Sequence, residues 1–94
     1  MVKIKEQSFL AKLAARTLKS SGAAIVFGRT IHLWNISRSE FLGDRRLLKH
    51  ELQHVRQYRR YGLLRFIFFY LLESFQKGYY NNKFEVEARE AENL

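Results

Sequence analysis

The chain has 94 residues, of which 47% are hydrophobic, and a formal net charge of +8 at pH 7. A chain of this length builds one small hydrophobic core, so we expect residues 1–94 to form a single domain. It contains no Cys, which excludes disulfides, thiolate metal sites and a cysteine nucleophile.

The first half of the sequence predicts a helix followed by a β-hairpin. Apolar side chains recur at helical spacing over residues 8–20, with Ser8 as the expected N-cap. Residues 23–27 and 30–36 are rich in β-branched and aromatic side chains, which is typical of strands. The two residues between these strands begin with Gly28, which suits a tight hairpin turn.

The second half predicts three helices. The first covers residues 44–61, with Asp44 as its N-cap, and an almost wholly apolar helix follows over residues 63–76. A loop is predicted over residues 77–83, and a short acidic helix over residues 84–93. We therefore expect an α+β fold that is mostly helical.

The most apolar run indicates how the chain meets other surfaces. Leu63–Leu72 is about half as long as a segment that spans a bilayer, and it contains Arg65. Residues 2–7 alternate charged and apolar side chains, unlike a signal peptide. We expect a cytoplasmic protein that uses Leu63–Leu72 for homo-oligomer formation or for peripheral membrane contact.

A metal-binding motif lies in the helix predicted over residues 44–61. His50 and His54 are four residues apart, so they share one helix face and can offer two imidazole nitrogens to one metal ion. Glu51 lies beside His50, within reach of a water on that metal, where a general base is needed. The His-Glu-x-x-His pattern therefore predicts a zinc site with Glu51 as a catalytic residue.

A catalytic zinc site usually has three protein ligands, and the pentapeptide supplies two. The third must be a His or a carboxylate, and the candidates are His32 in the hairpin and Glu85 or Glu87 in the last helix. Glu85 also has a purely structural interpretation, because Asn82 and Glu85 have the spacing of a capping box.

The charge distribution offers a different interpretation, in which the chain binds an anionic partner. Residues 1–60 contain thirteen Lys and Arg against four Asp and Glu, a local charge of +9. The helix that carries the motif has a stripe of basic side chains facing away from the His residues, formed by Arg45, Lys49, Arg56 and Arg60. We do not expect nucleic-acid binding, since no base-reading motif accompanies the stripe.

The motif, the intervening apolar helix and the downstream Glu85-Val86-Glu87-Ala88 together resemble the gluzincin zinc metallopeptidases, most closely the very small minigluzincins. The resemblance covers nearly the whole chain. In that clan a Glu in a Glu-x-x-Ala-Asp pattern completes the zinc site, and alignment on Ala88 selects Glu85 over Glu87. Arg89 stands where the clan has the Asp that orients a His ligand.

The resemblance implies a zinc metalloendopeptidase that binds one Zn²⁺ through His50, His54 and Glu85 and hydrolyses peptide or protein substrates. Glu51 is then the general base that activates a water on the metal. Tyr79 or Tyr80 is a candidate oxyanion stabiliser. The strand over residues 30–36 is expected to pair with an extended substrate, with His32 and Trp34 beside the cleft.

Arg89 and the small size of the chain support an alternative within the same fold. In this alternative the domain is a catalytically weak or latent module that binds zinc and interacts with other proteins, without efficient hydrolysis.

Overall fold

The computed structural model describes residues 2–94, and this part of the chain forms five helices and a three-stranded sheet in one domain. The α+β class and the predicted order of the main elements are confirmed. The elements are β1 (Lys3–Lys5), α1 (Phe9–Thr17), β2 (Ala23–Phe27), β3 (Thr30–Trp34), α2 (Arg38–Gly43), α3 (Arg45–Tyr61), α4 (Leu63–Asn81) and α5 (Lys83–Ala91).

The sheet has the order β1-β3-β2, so β3 is its central strand. The sequence did not predict β1, which pairs parallel to β3 with Ile4 opposite Ile31. The hairpin of β2 and β3 is antiparallel, with Val26 also opposite Ile31. A strand of three residues gives only a weak signal in the sequence, and its partner is distant in sequence.

The hydrophobic core lies between this sheet and helix α3. Its fully or almost fully buried members are Val26, Ile31, Leu33, Phe41 and Val55. α2 contributes Phe41, and its start is held by a capping box, in which Ser37 and Glu40 bond reciprocally. The sheet and α2 thus give α3 a rigid support along one face.

Helix α1 is shorter than the sequence predicts, because the chain leaves the helix after Thr17 and Lys19 adopts a positive φ of 55°. Ser8 occupies the N-cap position, but its hydroxyl does not cap the helix. Instead, Ser8 Oγ lies 2.7 Å from His32 Nδ1. This contact ties the start of α1 to the central strand.

Helix α4 runs through most of the segment for which a loop was predicted. Gly78 has a φ of 81° and interrupts the helix, but the next residues resume a helical turn up to Asn81. Asn82 is fully buried and joins α4 to α5, since its side chain donates to Tyr70 O and Ser74 Oγ and accepts from Phe84 N. The loop prediction is wrong because this local polar network reorders the chain after the glycine.

The apolar composition of α4 does not make it a buried helix. Of its side chains only Phe66 is buried, in an aromatic cluster with Tyr58 and Phe84. Within residues 2–94 no helix is both long enough and apolar enough to cross a membrane.

Candidate metal centre

Helix α3 presents the two His residues of the motif toward the interior of the domain. The helix begins as predicted, with the Asp44 carboxylate accepting a hydrogen bond from Leu47 N. His54 and Glu51 are buried and His50 is mostly buried. Because His50 and His54 are one turn apart on this supported helix, their rings lie edge to face, with centroids 5.0 Å apart.

Helix α5 brings Glu85 to these two imidazoles. Asn82 caps the helix through Phe84 N, but Glu85 does not turn back to complete the capping box. Its Oε1 lies 3.2 Å from His50 Nε2 and 3.2 Å from His54 Nε2. Among the described residues these three side chains form a group that could hold a metal ion.

The other candidates for the third ligand lie elsewhere. The Glu87 Oε1 atom accepts hydrogen bonds from Gln53 and Gln57, each at 2.8 Å. His32 is engaged with Ser8 and is not a member of the metal-binding group. The geometry therefore favours Glu85 as the third ligand, as the alignment on Ala88 predicts.

Two further side chains fix the orientation of the imidazole rings. His50 Nδ1 lies 2.8 Å from Glu92 Oε2, and His54 Nδ1 lies 2.8 Å from Gln57 Oε1. A carboxylate or amide oxygen only accepts, so each Nδ1 is the donor. Both Nε2 atoms therefore face Glu85, and in the neutral tautomer that these partners favour each Nε2 has a lone pair for a metal.

The donor set fits a tetrahedral zinc centre. Zinc bonds of about 2.0–2.1 Å at tetrahedral angles separate neighbouring ligand atoms by roughly 3.3 Å. The two distances of 3.2 Å from Glu85 Oε1 to the imidazole nitrogens agree with that separation. Two imidazoles and one carboxylate leave the fourth position for water, as in catalytic zinc sites.

Without a metal ion, hydrogen bonds and charge interactions among His50, His54 and Glu85 shift the pKa values of all three side chains. Burial raises the pKa of Glu85, but hydrogen bonds with His50, His54 and Tyr70 outweigh it and hold that pKa well below its usual range. Burial lowers the pKa of His50, yet its contacts with Glu85, Glu51 and Glu92 raise it to about 9. The pKa of His54 is raised in the same way. A metal ion would replace the protons that now join these groups.

Glu51 lies beside the metal-binding group without belonging to it. The side chain is only 4% exposed. Burial raises its pKa to about 7, with the neighbouring His54 and His50 opposing the shift. A carboxyl group with this pKa can accept and release a proton near neutral pH.

A cleft with a volume of about 410 Å³ opens onto this group from between α1, β2 and α4. His50, Glu51, His54 and Glu85 line its inner end. The rest of its lining is mainly aliphatic and aromatic. The cleft can therefore hold an apolar segment of a ligand against the polar end.

The strand beside the cleft is β2, which lies at the edge of the sheet and contributes Ala24–Phe27 to the lining. The prediction that the strand over residues 30–36 pairs with a substrate is wrong, because β3 is hydrogen-bonded on both sides. Neither His32 nor Trp34 lines the cleft, and Lys12 covers the Trp34 ring with its ammonium 5.0 Å from the centroid.

The two candidate oxyanion stabilisers occupy different places. Tyr79 lines the cleft, and burial raises its pKa to about 12. Tyr80 does not line it, because its ring lies against the Arg89 guanidinium at 4.0 Å. Arg89 also donates a hydrogen bond to the Tyr80 carbonyl oxygen. Arg89 therefore has a structural role on the outer side of α5.

Three residues that contact the candidate ligands were not predicted from the sequence: Tyr70, Gln57 and Glu92. Tyr70 donates a hydrogen bond to Glu85 Oε2. Each gave only a weak signal in the sequence. Tyr70 is a polar residue within an apolar helix, and Gln57 and Glu92 lie at helical spacing from a candidate ligand. Gln57 follows His54 by three residues, and Glu92 follows Glu85 by seven, so each shares a helix face with its neighbour.

We expect Glu92→Gln to weaken zinc binding by about 10–100-fold, because a carboxylate that accepts from a ligating imidazole also raises its basicity. The affinity is measured by competition with a chromogenic chelator. Glu90→Gln removes the same charge from an exposed position of α5 and should leave the affinity unchanged. Equal affinities for wild type and both variants would show that Glu92 does not support the site.

A family model described as the eCIS core domain, for extracellular contractile injection systems, matches residues 2–62. The match runs from β1 through α3 and includes His50, Glu51 and His54, whereas Glu85 lies beyond it. No curated protein and no solved structure matches the chain significantly. Because the matched region is well over half of its length, the chain belongs to the eCIS core domain family.

Proposed function

We propose that this chain is a zinc-dependent metallopeptidase of gluzincin type. The observation that carries the proposal is the convergence of two His Nε2 atoms on one oxygen of Glu85, at 3.2 Å each, beside the buried Glu51. Two His and one Glu, with a separate Glu beside them, is a donor set that suits catalytic zinc. The family description names no activity, so the proposal depends on this geometry.

When bound, the zinc ion would supply a Lewis acid and lower the pKa of water at the site. Glu51 would accept a proton from the attacking water and later return it to the leaving amine. Its position suits this role, since Glu51 lines the cleft together with His50, His54 and Glu85. Glu92 and Gln57 would hold the imidazole rings in place during the reaction.

The cleft suggests how a peptide would bind. An extended segment could lie along β2, the edge strand that contributes Ala24–Phe27 to the lining. The aliphatic part of the cleft would accept apolar side chains of the substrate. Tyr79 is then the phenol that could donate a hydrogen bond to the developing oxyanion.

The substitution of Arg for the clan's supporting Asp does not leave His50 without a partner. Glu92 accepts a hydrogen bond from His50 Nδ1. In the gluzincin pattern, the Asp one residue after the Ala that aligns with Ala88 orients a His ligand in this way. The support comes from one helical turn further along the chain. This observation favours the peptidase over a latent zinc-binding module of the same fold.

The test is hydrolysis of an unstructured protein by the zinc-loaded chain, compared with the Glu51→Gln variant. We expect hydrolysis by wild type and almost none by the variant. If the two proteins bind zinc equally and show the same residual activity, the chain is a binding module and the peptidase proposal fails.

A further inference from the structure

Four side chains of helix α4 form an apolar stripe along its exposed face. They are Leu64, Phe68, Leu71 and Phe75, and their exposed fractions are 81%, 61%, 60% and 91%. Phe66, on the opposite side of the helix, is 3% exposed and packs into the aromatic cluster. Four large apolar side chains that lie exposed along one helix normally pack against a partner.

The spacing of the stripe is that of a coiled-coil seam. Its members follow one another by four, three and four residues, which places Leu at both d positions and Phe at both a positions of two heptads. The helix is uninterrupted from Leu63 to Lys77, since Gly62 and Gly78 have positive φ angles at either end. The four layers of the seam therefore span about 17 Å of a helix that is about 22 Å long.

We propose that α4 pairs with α4 of a second copy of this chain, in an antiparallel arrangement about a two-fold axis. This orientation places Leu64 opposite Phe75 and Phe68 opposite Leu71. Every layer then combines one large and one smaller side chain, whereas a parallel pair would stack Phe on Phe and Leu on Leu. A two-fold contact is closed, so it ends at the dimer.

The charge near the stripe favours a second copy over an anionic membrane. The chain has a net charge of +8, but residues 61–94 contain four Lys and Arg against five Asp and Glu, a local charge of −1. Of the charged side chains of α4, Lys77 lies 3.4 Å from Glu73, which leaves Arg65 as the cation of this helix without a salt bridge to any of residues 2–94. An interfacial helix for anionic lipid carries many Lys and Arg along its flanks. Two copies of α4 meet with little repulsion.

The pairing does not depend on the proposed metallopeptidase activity, but it affects the same cleft. Leu71 belongs to the stripe and also lines the cleft. The partner helix would therefore run along the rim on the α4 side.

The first test is sedimentation velocity of the whole chain over about 1–200 μM, a range suited to a micromolar dimer. We expect wild type to approach twice the chain mass of 11.3 kDa. Phe68→Glu and Phe75→Glu should each raise the dissociation constant at least tenfold, since a charge would enter a buried layer. Both positions are exposed in one copy, so circular dichroism should show that the variants fold. Phe9→Glu, at a 70% exposed position of α1, is the matched control and should dimerise like wild type.

The second test determines the orientation and uses the absence of native Cys. Chains with Leu64→Cys or Phe75→Cys are oxidised alone and as an equal mixture. An antiparallel pair predicts an efficient disulfide only in the mixture. Efficient disulfides of each variant with itself would overturn the antiparallel arrangement.

A monomer at every concentration, or a dimer that both Glu variants of α4 leave intact, would overturn the proposal. The monomeric result is followed by sedimentation with phosphatidylserine and phosphatidylcholine vesicles. Binding of wild type to the anionic vesicles, lost in Phe68→Glu, would assign the stripe to lipid instead of to a second copy.

Discussion

Replacing Glu51 with Gln is expected to lower the rate of peptide hydrolysis by about 10²–10⁴-fold, the usual contribution of a general base. The amide has the shape of the carboxyl group but cannot accept the proton of the attacking water. Glu51 is buried and is not one of the three residues that could hold the metal. The variant should therefore fold and bind zinc like wild type, and single-turnover cleavage of a fluorogenic peptide measures the loss.

The control for this experiment is Glu90→Gln, which removes a carboxylate from an exposed position of α5 and should retain full activity. Metal content is measured for all three proteins, so that a loss of zinc is distinguished from a loss of the base. A Glu51→Gln variant that binds one zinc ion and cleaves as fast as wild type would contradict the proposed role.

Zinc is expected to raise the melting temperature by about 15–30 °C at pH 8 when free zinc is about a thousandfold above its dissociation constant. The increase should be much smaller at pH 5.5, because zinc must displace protons from His50 and His54. Differential scanning calorimetry with and without zinc at both pH values measures the two increases.

The metal-free protein should show the opposite pH dependence. The pKa of His50 is raised from 6.5 to about 9, so its stabilising contribution is complete below pH 6.5 and is lost as the pH rises through 9. The pKa of Glu51 is raised from 4.5 to about 7, so charging this buried group also lowers stability as the pH rises. Glu85 has a lowered pKa, and its contribution is lost only below about pH 4.5. The metal-free melting temperature should therefore fall between pH 5.5 and 9.

His54→Ala is the control for the zinc-induced increase in melting temperature, since it removes one of the three candidate ligands. Its melting temperature should respond little to zinc at either pH. If zinc raises the melting temperature equally at pH 5.5 and pH 8, the ion binds somewhere other than at these imidazoles.

Local patterns in the sequence were sufficient to predict the elements that have strong periodicity or explicit caps. Asp44 caps α3 as predicted, and the helical spacing of His50 and His54 places their rings together. These features depend on residues within one or two turns of each other.

The features that the sequence did not predict depend on distant or non-periodic contacts. β1 exists because Ile4 reaches Ile31 across the sheet, a pairing that no local pattern encodes. The extent of α4 depends on Asn82, whose buried amide bonds to Tyr70 and Ser74. Glu92 supports His50 from 42 residues away along the chain, whereas the gluzincin pattern has its supporting Asp at the position of Arg89.

The prediction of Glu85 as the third ligand depended on a local pattern and on a resemblance together. The local pattern also allowed a capping box with Asn82, and the resemblance to a peptidase clan favoured a ligand. The folded chain uses Asn82 for the cap and leaves Glu85 to face the imidazoles. A helix start thus serves both as a structural junction and as the position of a functional carboxylate.

Zinc titration of the metal-free chain by isothermal calorimetry at pH 7.5 tests the proposed centre most directly. Wild type should bind one zinc ion per chain, and His54→Ala and Glu85→Ala should each bind at least 100-fold more weakly. Glu87→Gln, which alters the neighbouring carboxylate outside the group, should still bind one ion. Wild type that binds no zinc, or variants that bind as tightly as wild type, would contradict the metal centre formed by His50, His54 and Glu85.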